Sequence, residues 1–138
     1  MEVIDKMEDS KLIEIAKKAR EFSCPAISEY KVGAALLTKE GKVFMGCNIE
    51  DPSGIGITNI CAERCAVIKA ISEGYMDFEK IAVVGGKEDC KEECLPCGAC
   101  RQYLNSFCPD IKVLTIKNEN IKTYSLNELL PHSFNEKF

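Results

Sequence analysis

Two short cysteine-bearing segments constrain this chain more than any other feature: Cys61-Ala62-Glu63 and Pro96-Cys97-Gly98-Ala99-Cys100, each at the start of a stretch with helical patterning. A thiol at a helix N-terminus feels the partial positive charge of the unpaired N–H groups, which lowers its pKa and favours the thiolate that a metal requires. Cys97 and Cys100, at i and i+3, share one helix face and can grip a single ion. For Cys61 to join them, the starts of two helices must meet at one point.

The chain has nine cysteines. An odd number cannot pair completely within the chain, and the reducing cytosol disfavours structural disulfides. Metal binding is therefore the leading reading of the clustered cysteines. The isolated Cys24, Cys47, Cys65 and Cys108 are expected to be small buried residues, and Cys90 and Cys94 to be loop thiols. The 138 residues suit one domain spanning 1–138 with a single core. Charged residues make up 29% and the formal net charge is −4, with no Lys/Arg cluster, which weighs against a partner with a phosphate backbone such as nucleic acid. The opening MEVIDKMEDS is acidic rather than basic-then-apolar, and no run of about 18 apolar residues occurs, so neither a secretory leader nor a membrane span is expected. The expectation is a soluble, cytoplasmic protein with no membrane partner.

Apolar residues at helical spacing predict a first helix from Ser10 to Phe22, capped by Asp9 or Ser10. Val32–Leu37 and Lys42–Cys47 read as two strands joined by a tight turn. Asn48 to Ile60 is an aperiodic loop of about a dozen residues, a length often tied to function. Helices are expected from Cys61 to Ser72, apolar over most of its surface and stopped near Gly74, and from Cys97 to Phe107. Strands follow at Ile81–Val84, Lys112–Ile116 and Ile121–Ser125, with a last helix at Leu126–Leu130. This order implies a three-layer α/β protein with a mixed sheet of about five strands.

Three protein ligands leave a fourth tetrahedral position for water, as in a catalytic rather than a structural zinc site. Water held there is acidified toward hydroxide. Glu63, two residues past Cys61, is placed near the metal without ligating it, where a carboxylate can move protons. A His or Cys, one residue, Glu and then Pro-Cys-x-x-Cys is the arrangement of zinc deaminases, with three cysteines as an accepted variant. Taken alone, Cys97-x-x-Cys100 serves a structural zinc or a redox pair as readily. Other residues also have plain readings: Asn48 as a turn residue, Glu50 and Glu29 as solvated carboxylates, Phe134 as a tail aromatic, Arg101 and Gln102 as helix-surface or interface residues. His132, the single histidine, is badly placed for a ligand.

Five stretches together resemble the small homotetrameric cytidine deaminases: Val32-Gly33-Ala34-Ala35-Leu36-Leu37, Gly46-Cys47-Asn48-Ile49-Glu50, Cys61-Ala62-Glu63-Arg64, Pro96-Cys97-Gly98-Ala99-Cys100-Arg101-Gln102 and Leu129-Leu130-Pro131-His132-Ser133-Phe134. The resemblance runs over nearly the whole chain. It implies the three-layer α/β/α cytidine deaminase-like fold, one Zn²⁺ per subunit on Cys61, Cys97 and Cys100, and Glu63 as the catalytic proton carrier. It also implies that Asn48 and Glu50 bind ribose hydroxyls, that the backbone near Ala62 accepts the exocyclic amine, and that Phe134 reaches into a neighbouring subunit's site to stack on the base. Arg64 is expected to offset the charge of three thiolates on Zn²⁺.

Two departures from the family pattern fall at the substrate mouth. Tyr30 stands where a phenylalanine is usual, within an altered Ser23–Lys31 loop, and Asp51–Ile60 is about two residues longer than is typical. They bear on which nucleoside enters rather than on the metal chemistry. The implied activity is hydrolytic deamination of cytidine or deoxycytidine in pyrimidine salvage. The rivals are the same chemistry on another cytosine nucleoside, as in the related blasticidin S deaminases, and a non-catalytic structural zinc module.

Overall fold

The computed structural model describes residues 7–136; most of the acidic opening stretch, and so the two ends of the expected 1–138 span, lie outside the described residues. The elements are α1 (Asp9–Arg20), β1 (Lys31–Thr38), β2 (Val43–Cys47), α2 (Ala62–Ser72), β3 (Phe78–Gly86), α3 (Gly98–Phe107), β4 (Lys112–Lys117), β5 (Asn120–Ser125) and α4 (Leu126–Leu129), with a 3-10 turn at Gly56–Thr58. The five strands form one mixed sheet in the order β2-β1-β3-β4-β5. Only β3 and β4 run parallel. A parallel pair needs a long crossover, and the segment carrying α3 supplies it.

Helices cover both faces of the sheet, giving the expected three-layer α/β/α architecture. Along β1, Ala34 and Leu36 point into the core shared with α2 and α3, while Ala35 and Leu37 join α1 on the other face. Along β3, Ile81 and Val83 face one way and Ala82 and Val84 the other. Strands buried on both sides carry unbroken apolar runs, which is why these segments lack polar alternation. α1 buries Leu12, Ile13, Ala16 and Ala19 on one stripe; full burial of a Leu or Ile contributes about 1.5–3 kcal/mol each.

Two glycines let the helices close onto the sheet. A Cβ on Gly33 would lie 2.1 Å from the Ala16 carbonyl oxygen of α1, and one on Gly46 would lie 2.3 Å from the Ala62 oxygen and 2.6 Å from the Ala66 nitrogen of α2. The Lys69 ammonium, donating to the Met45 carbonyl at 2.6 Å, also ties α2 to the edge strand β2. The first turn of α2 is thereby held against β2.

Several expectations are corrected. α1 ends at Arg20, leaving Phe22 66% exposed, and its N-cap is Glu8 with no side-chain capping bond rather than Asp9 or Ser10. α2, expected to be buried because it is apolar over most of its surface, buries Ala62, Glu63, Ala66, Val67 and Ala70 but leaves Ile68 and Lys69 exposed. β3 is longer than Ile81–Val84 because Phe78 and Gly86 still pair with β1. Of the four isolated cysteines only Cys108 is buried; Cys24 is exposed, and Cys47 and Cys65 are half-buried. Asn48–Ile60 is more ordered than an aperiodic loop, with Ile49 pairing to both Cys24 and Ile60.

Candidate metal centre and substrate pocket

Cys61 and Cys97 are the N-cap residues of α2 and α3, both in extended conformation (φ −79°, ψ 153° and φ −66°, ψ 167°), and neither side chain caps its own helix. A capping residue usually turns its side chain onto the N–H groups of the first turn. Here the sulfurs instead meet Cys100, the third residue of α3. All three sulfurs lie within 4.8 Å of one another, and Cys61 Sγ is 3.8 Å from Cys97 Sγ. Two sulfurs on a tetrahedral zinc with Zn–S of about 2.3 Å are about 3.8 Å apart, so the donor set fits that ion. No fourth His, Cys, Asp or Glu joins this group among the described residues, and His132 is exposed.

The sulfurs already share charge. The hydrogen bond from Cys100 is the main reason Cys61 is held down at about 5, with Arg64 and Cys97 adding to it against the effect of burial. The same contact pushes the Cys100 thiol up, as do burial and the nearby Glu63. Arg64 Nη2 donates to Cys61 Sγ at 3.2 Å, whereas its buried Nε has no hydrogen-bond partner among the described residues. Three thiolates on a divalent zinc carry a net −1, and this guanidinium is the cation that bonds the cluster.

Glu63 is the second residue of α2 and is only 4% exposed. Burial pushes its carboxyl up to about 7, with the Cys61 charge adding to the rise. A buried carboxyl poised near neutrality can take and give a proton.

These groups line one wall of a pocket of about 270 Å³, with Cys61, Ala62, Glu63 and Cys97 on one side and Tyr30, Asn48 and Glu50 among the residues completing it. Asn48 Oδ1 accepts from the Val32 N–H at 2.8 Å and from Ser23 Oγ, and its Nδ2 donates to the Tyr30 carbonyl at 2.7 Å. Glu50 Oε1 accepts the N–H groups of Ile27 and Ser28 at 2.9 and 2.8 Å. Those bonds, Ser28 foremost, hold the Glu50 carboxyl below its ordinary range. Tyr30 is half-buried, and its hydroxyl is raised by burial and then by Cys94.

The fold thus gathers Cys61, Cys97, Cys100, Glu63, Arg64, Ala62, Asn48, Glu50 and Tyr30 in one region. It does not bring Phe134 there: the side chain is 57% exposed, the residue is absent from the pocket lining, and its carbonyl accepts from Gln102 and Asn105 of α3. Cys94, expected to be a loop thiol, is buried and lines the pocket beside Val32, Asn59, Ile60 and Leu95. Its position three residues before Cys97 of the sulfur cluster was the available signal, since the chain reaching Cys97 must pass the pocket.

Residues 6–116 match the family model described as the cytidine and deoxycytidylate deaminase zinc-binding region. The chain belongs to this deaminase family. A cytidine deaminase of Halalkalibacterium halodurans is 47% identical over 130 residues, covering 93% of this chain and 95% of that protein. A blasticidin-S deaminase of Bacillus cereus is 32% identical over 111 residues, covering 75% and 76%. The crystal structure of a cytidine deaminase from Burkholderia pseudomallei superposes with a TM-score of 0.84 at 40% identity, covering 93% of this chain and all of that one. In this deaminase-family chain the matched region takes in the sulfur cluster, Glu63, Asn48 and Glu50, while Phe134 lies beyond it. The family is zinc-binding, and Cys61, Cys97 and Cys100 are the one group of three such ligands among the described residues. No helix among the described residues is long and apolar enough to cross a membrane.

Proposed function

We propose that this chain is a zinc-dependent hydrolase that deaminates cytidine and 2′-deoxycytidine to the corresponding uridines and ammonia, in pyrimidine salvage. The observation that carries the reading is a carboxyl, Glu63, buried beside a three-thiol cluster at one wall of a nucleoside-sized pocket. A purely structural zinc module has no use for that carboxyl or for the pocket.

Cys61, Cys97 and Cys100 hold the zinc, which when bound supplies a Lewis acid that makes water a nucleophile near neutral pH. Glu63 takes a proton from the water that attacks C4 of the cytosine ring and passes it to ring nitrogen N3. It then takes the second water proton and gives it to the departing amine, so that ammonia leaves and the carboxylate is restored. The backbone at Ala62 accepts from the exocyclic amine, and Tyr30 packs along the base. Asn48 and Glu50 hold the sugar hydroxyls. Arg64 keeps the three-thiolate site from becoming too negative.

Among the described residues the pocket lining contains two carboxylates and no Lys, Arg or His. Such a wall suits a neutral nucleoside and repels a 5′-phosphate, which supports cytidine over a cytidylate substrate. A homotetramer in the cytoplasm belongs to this reading, with Phe134 of one subunit stacking on the base held by another.

The test is loss of ultraviolet absorbance with cytidine, deoxycytidine, deoxycytidylate and blasticidin S, using zinc-replete protein and Glu63→Gln. The expected outcome is rapid turnover of the two nucleosides and a loss of about 10²–10⁴-fold in kcat for the variant, with its zinc retained. Turnover of blasticidin S alone would transfer the protein to that branch. Equal activity in Glu63→Gln would remove the carboxyl from the chemistry.

A further inference from the structure

We infer that Ser23, at the exit of α1, is a positioning residue for the sugar-binding amide of Asn48. The inference rests on the reading of Asn48 as a sugar contact and extends it to a residue outside the pocket lining.

The hydrogen-bond capacity of Asn48 is nearly spent within the protein. A side-chain amide offers two acceptor sites on oxygen and two N–H donors. Both acceptor sites are filled, one by the Val32 N–H at 2.8 Å and one by the Ser23 hydroxyl. One donor is used on the Tyr30 carbonyl at 2.7 Å. A single N–H remains, so Asn48 meets a ligand as a donor only and asks for a hydroxyl oxygen.

Two of these three anchors come from one short piece of chain, Tyr30 to Val32, at the start of β1. Ser23 holds the amide from a second element, the exit of α1. Its N–H donates to the Arg20 carbonyl at 3.1 Å, continuing the last turn of α1, and the neighbouring Cys24 N–H donates to the Asn48 carbonyl at 3.0 Å. α1 is held by the buried Leu12, Ile13, Ala16 and Ala19 and by Arg20, whose Nη2 donates to the Gly86 carbonyl of β3 at 2.7 Å. The Ser23 hydroxyl therefore ties the amide to α1 as well as to the start of β1, so that its oxygen is held from both elements. Ser23 and Asn48 are both half-buried. In such surroundings a lost hydroxyl leaves one acceptor site of the oxygen unfilled and the amide held by two bonds instead of three.

The experiment compares Ser23→Ala, Ser23→Thr, Asn48→Ala and the Ser23→Ala/Asn48→Ala pair in the zinc-loaded enzyme. Cytidine and 2′,3′-dideoxycytidine are the substrates, with zinc content and melting temperature measured alongside. Loss of one such bond corresponds to about a five- to tenfold rise in KM for cytidine. The expected pattern for Ser23→Ala is that rise with kcat nearly unchanged. KM for the dideoxy compound should stay at the wild-type value, because it offers no 2′- or 3′-hydroxyl for Asn48 to meet. Threonine keeps the hydroxyl and should restore cytidine binding. In the Asn48→Ala background the serine change should add nothing.

An equal rise for both substrates, or effects that add in the double variant, would make Ser23 a support for the loop as a whole and overturn the inference. Failure of the underlying reading has a different signature: wild-type enzyme that treats cytidine and dideoxycytidine alike, or turns over neither, removes the sugar contact before any serine variant is compared.

Discussion

On the metal wall of the pocket the reactive side chains come from two helix starts, whereas the facing wall is assembled from loops. Cys61, Glu63, Cys97 and Cys100 sit at the first turns of α2 and α3, which are anchored in the core by Ala66, Val67, Ala70 and Leu104. Asn48 and Glu50 follow the end of β2, and their side chains are held by bonds to residues 23–32. One wall gains its precision from core packing and the other from a handful of hydrogen bonds. The metal wall should therefore fail abruptly, when a helix is displaced, and the loop wall by degrees.

Gly46 and Gly54 give the sharpest contrast between the walls. A methyl group at Gly46 has to overlap backbone atoms of α2, so Gly46→Ala should push that helix, with Cys61 and Glu63, off the sheet. We expect about 3 kcal/mol or more of lost stability, read by chemical denaturation, together with reduced zinc content. Gly54, in the loop of the facing wall, has open space around it and φ of +83°. Gly54→Ala should cost about 1–2 kcal/mol from the left-handed backbone alone, with zinc content unchanged. Similar losses from the two substitutions would break the comparison.

The same division explains what the sequence made legible. The metal wall could be read because its geometry is fixed by short spacing: Cys97 and Cys100 are one turn apart, and Glu63 follows Cys61, the N-cap of its helix, by two positions. Apolar runs such as Ala34–Leu37 and Ile81–Val84 marked the central strands because both sheet faces are covered. The loop wall depends on contacts between segments distant in the chain, such as Ser23 with Asn48 and Ile27 with Glu50, and no local pattern encodes those. Cys94 escaped for the same reason: a cysteine in a loop shows its burial only when the sheet behind it is in place. Phe22 looked helical by period, yet α1 ends two residues earlier and the ring is exposed.

Arg64 tests a gentler failure of the metal wall. Its Nη2 donates to Cys61 Sγ at 3.2 Å, and its charge faces a cluster that carries −1 when zinc is held by three thiolates. Outer-shell partners of this kind are worth about 10–100-fold in metal affinity, and Arg64→Ala should lose zinc to that extent in competition with a chromophoric chelator. Arg64→Lys keeps the charge without the planar fork and should fall between the two. Zinc affinity in Arg64→Ala equal to that of the wild type would remove the charge-offset argument and leave Arg64 as packing.

The smallest effect belongs to Glu50 and concerns acid. The N–H of Ser28 foremost, its hydroxyl, and the N–H of Ile27 bond the ionised carboxylate and hold its pKa below the ordinary 4.5. Because the folded value is the lower one, this anchorage is fully present above the ordinary value and is lost only as pH falls through the folded value. Titrating the Glu50 side-chain carbon by ¹³C NMR should therefore give a midpoint below 4.5, with the Ile27 and Ser28 amide shifts moving at the same pH. This readout separates the walls where activity cannot, since acid also protonates the thiolates and releases zinc. A Glu50 midpoint at or above 4.5 would mean that the bonds to residues 27 and 28 do not persist in solution. The loop wall would then take its shape only when a ligand arrives, and the contrast between a packed wall and a hydrogen-bonded one would become a contrast between a preformed wall and an induced one.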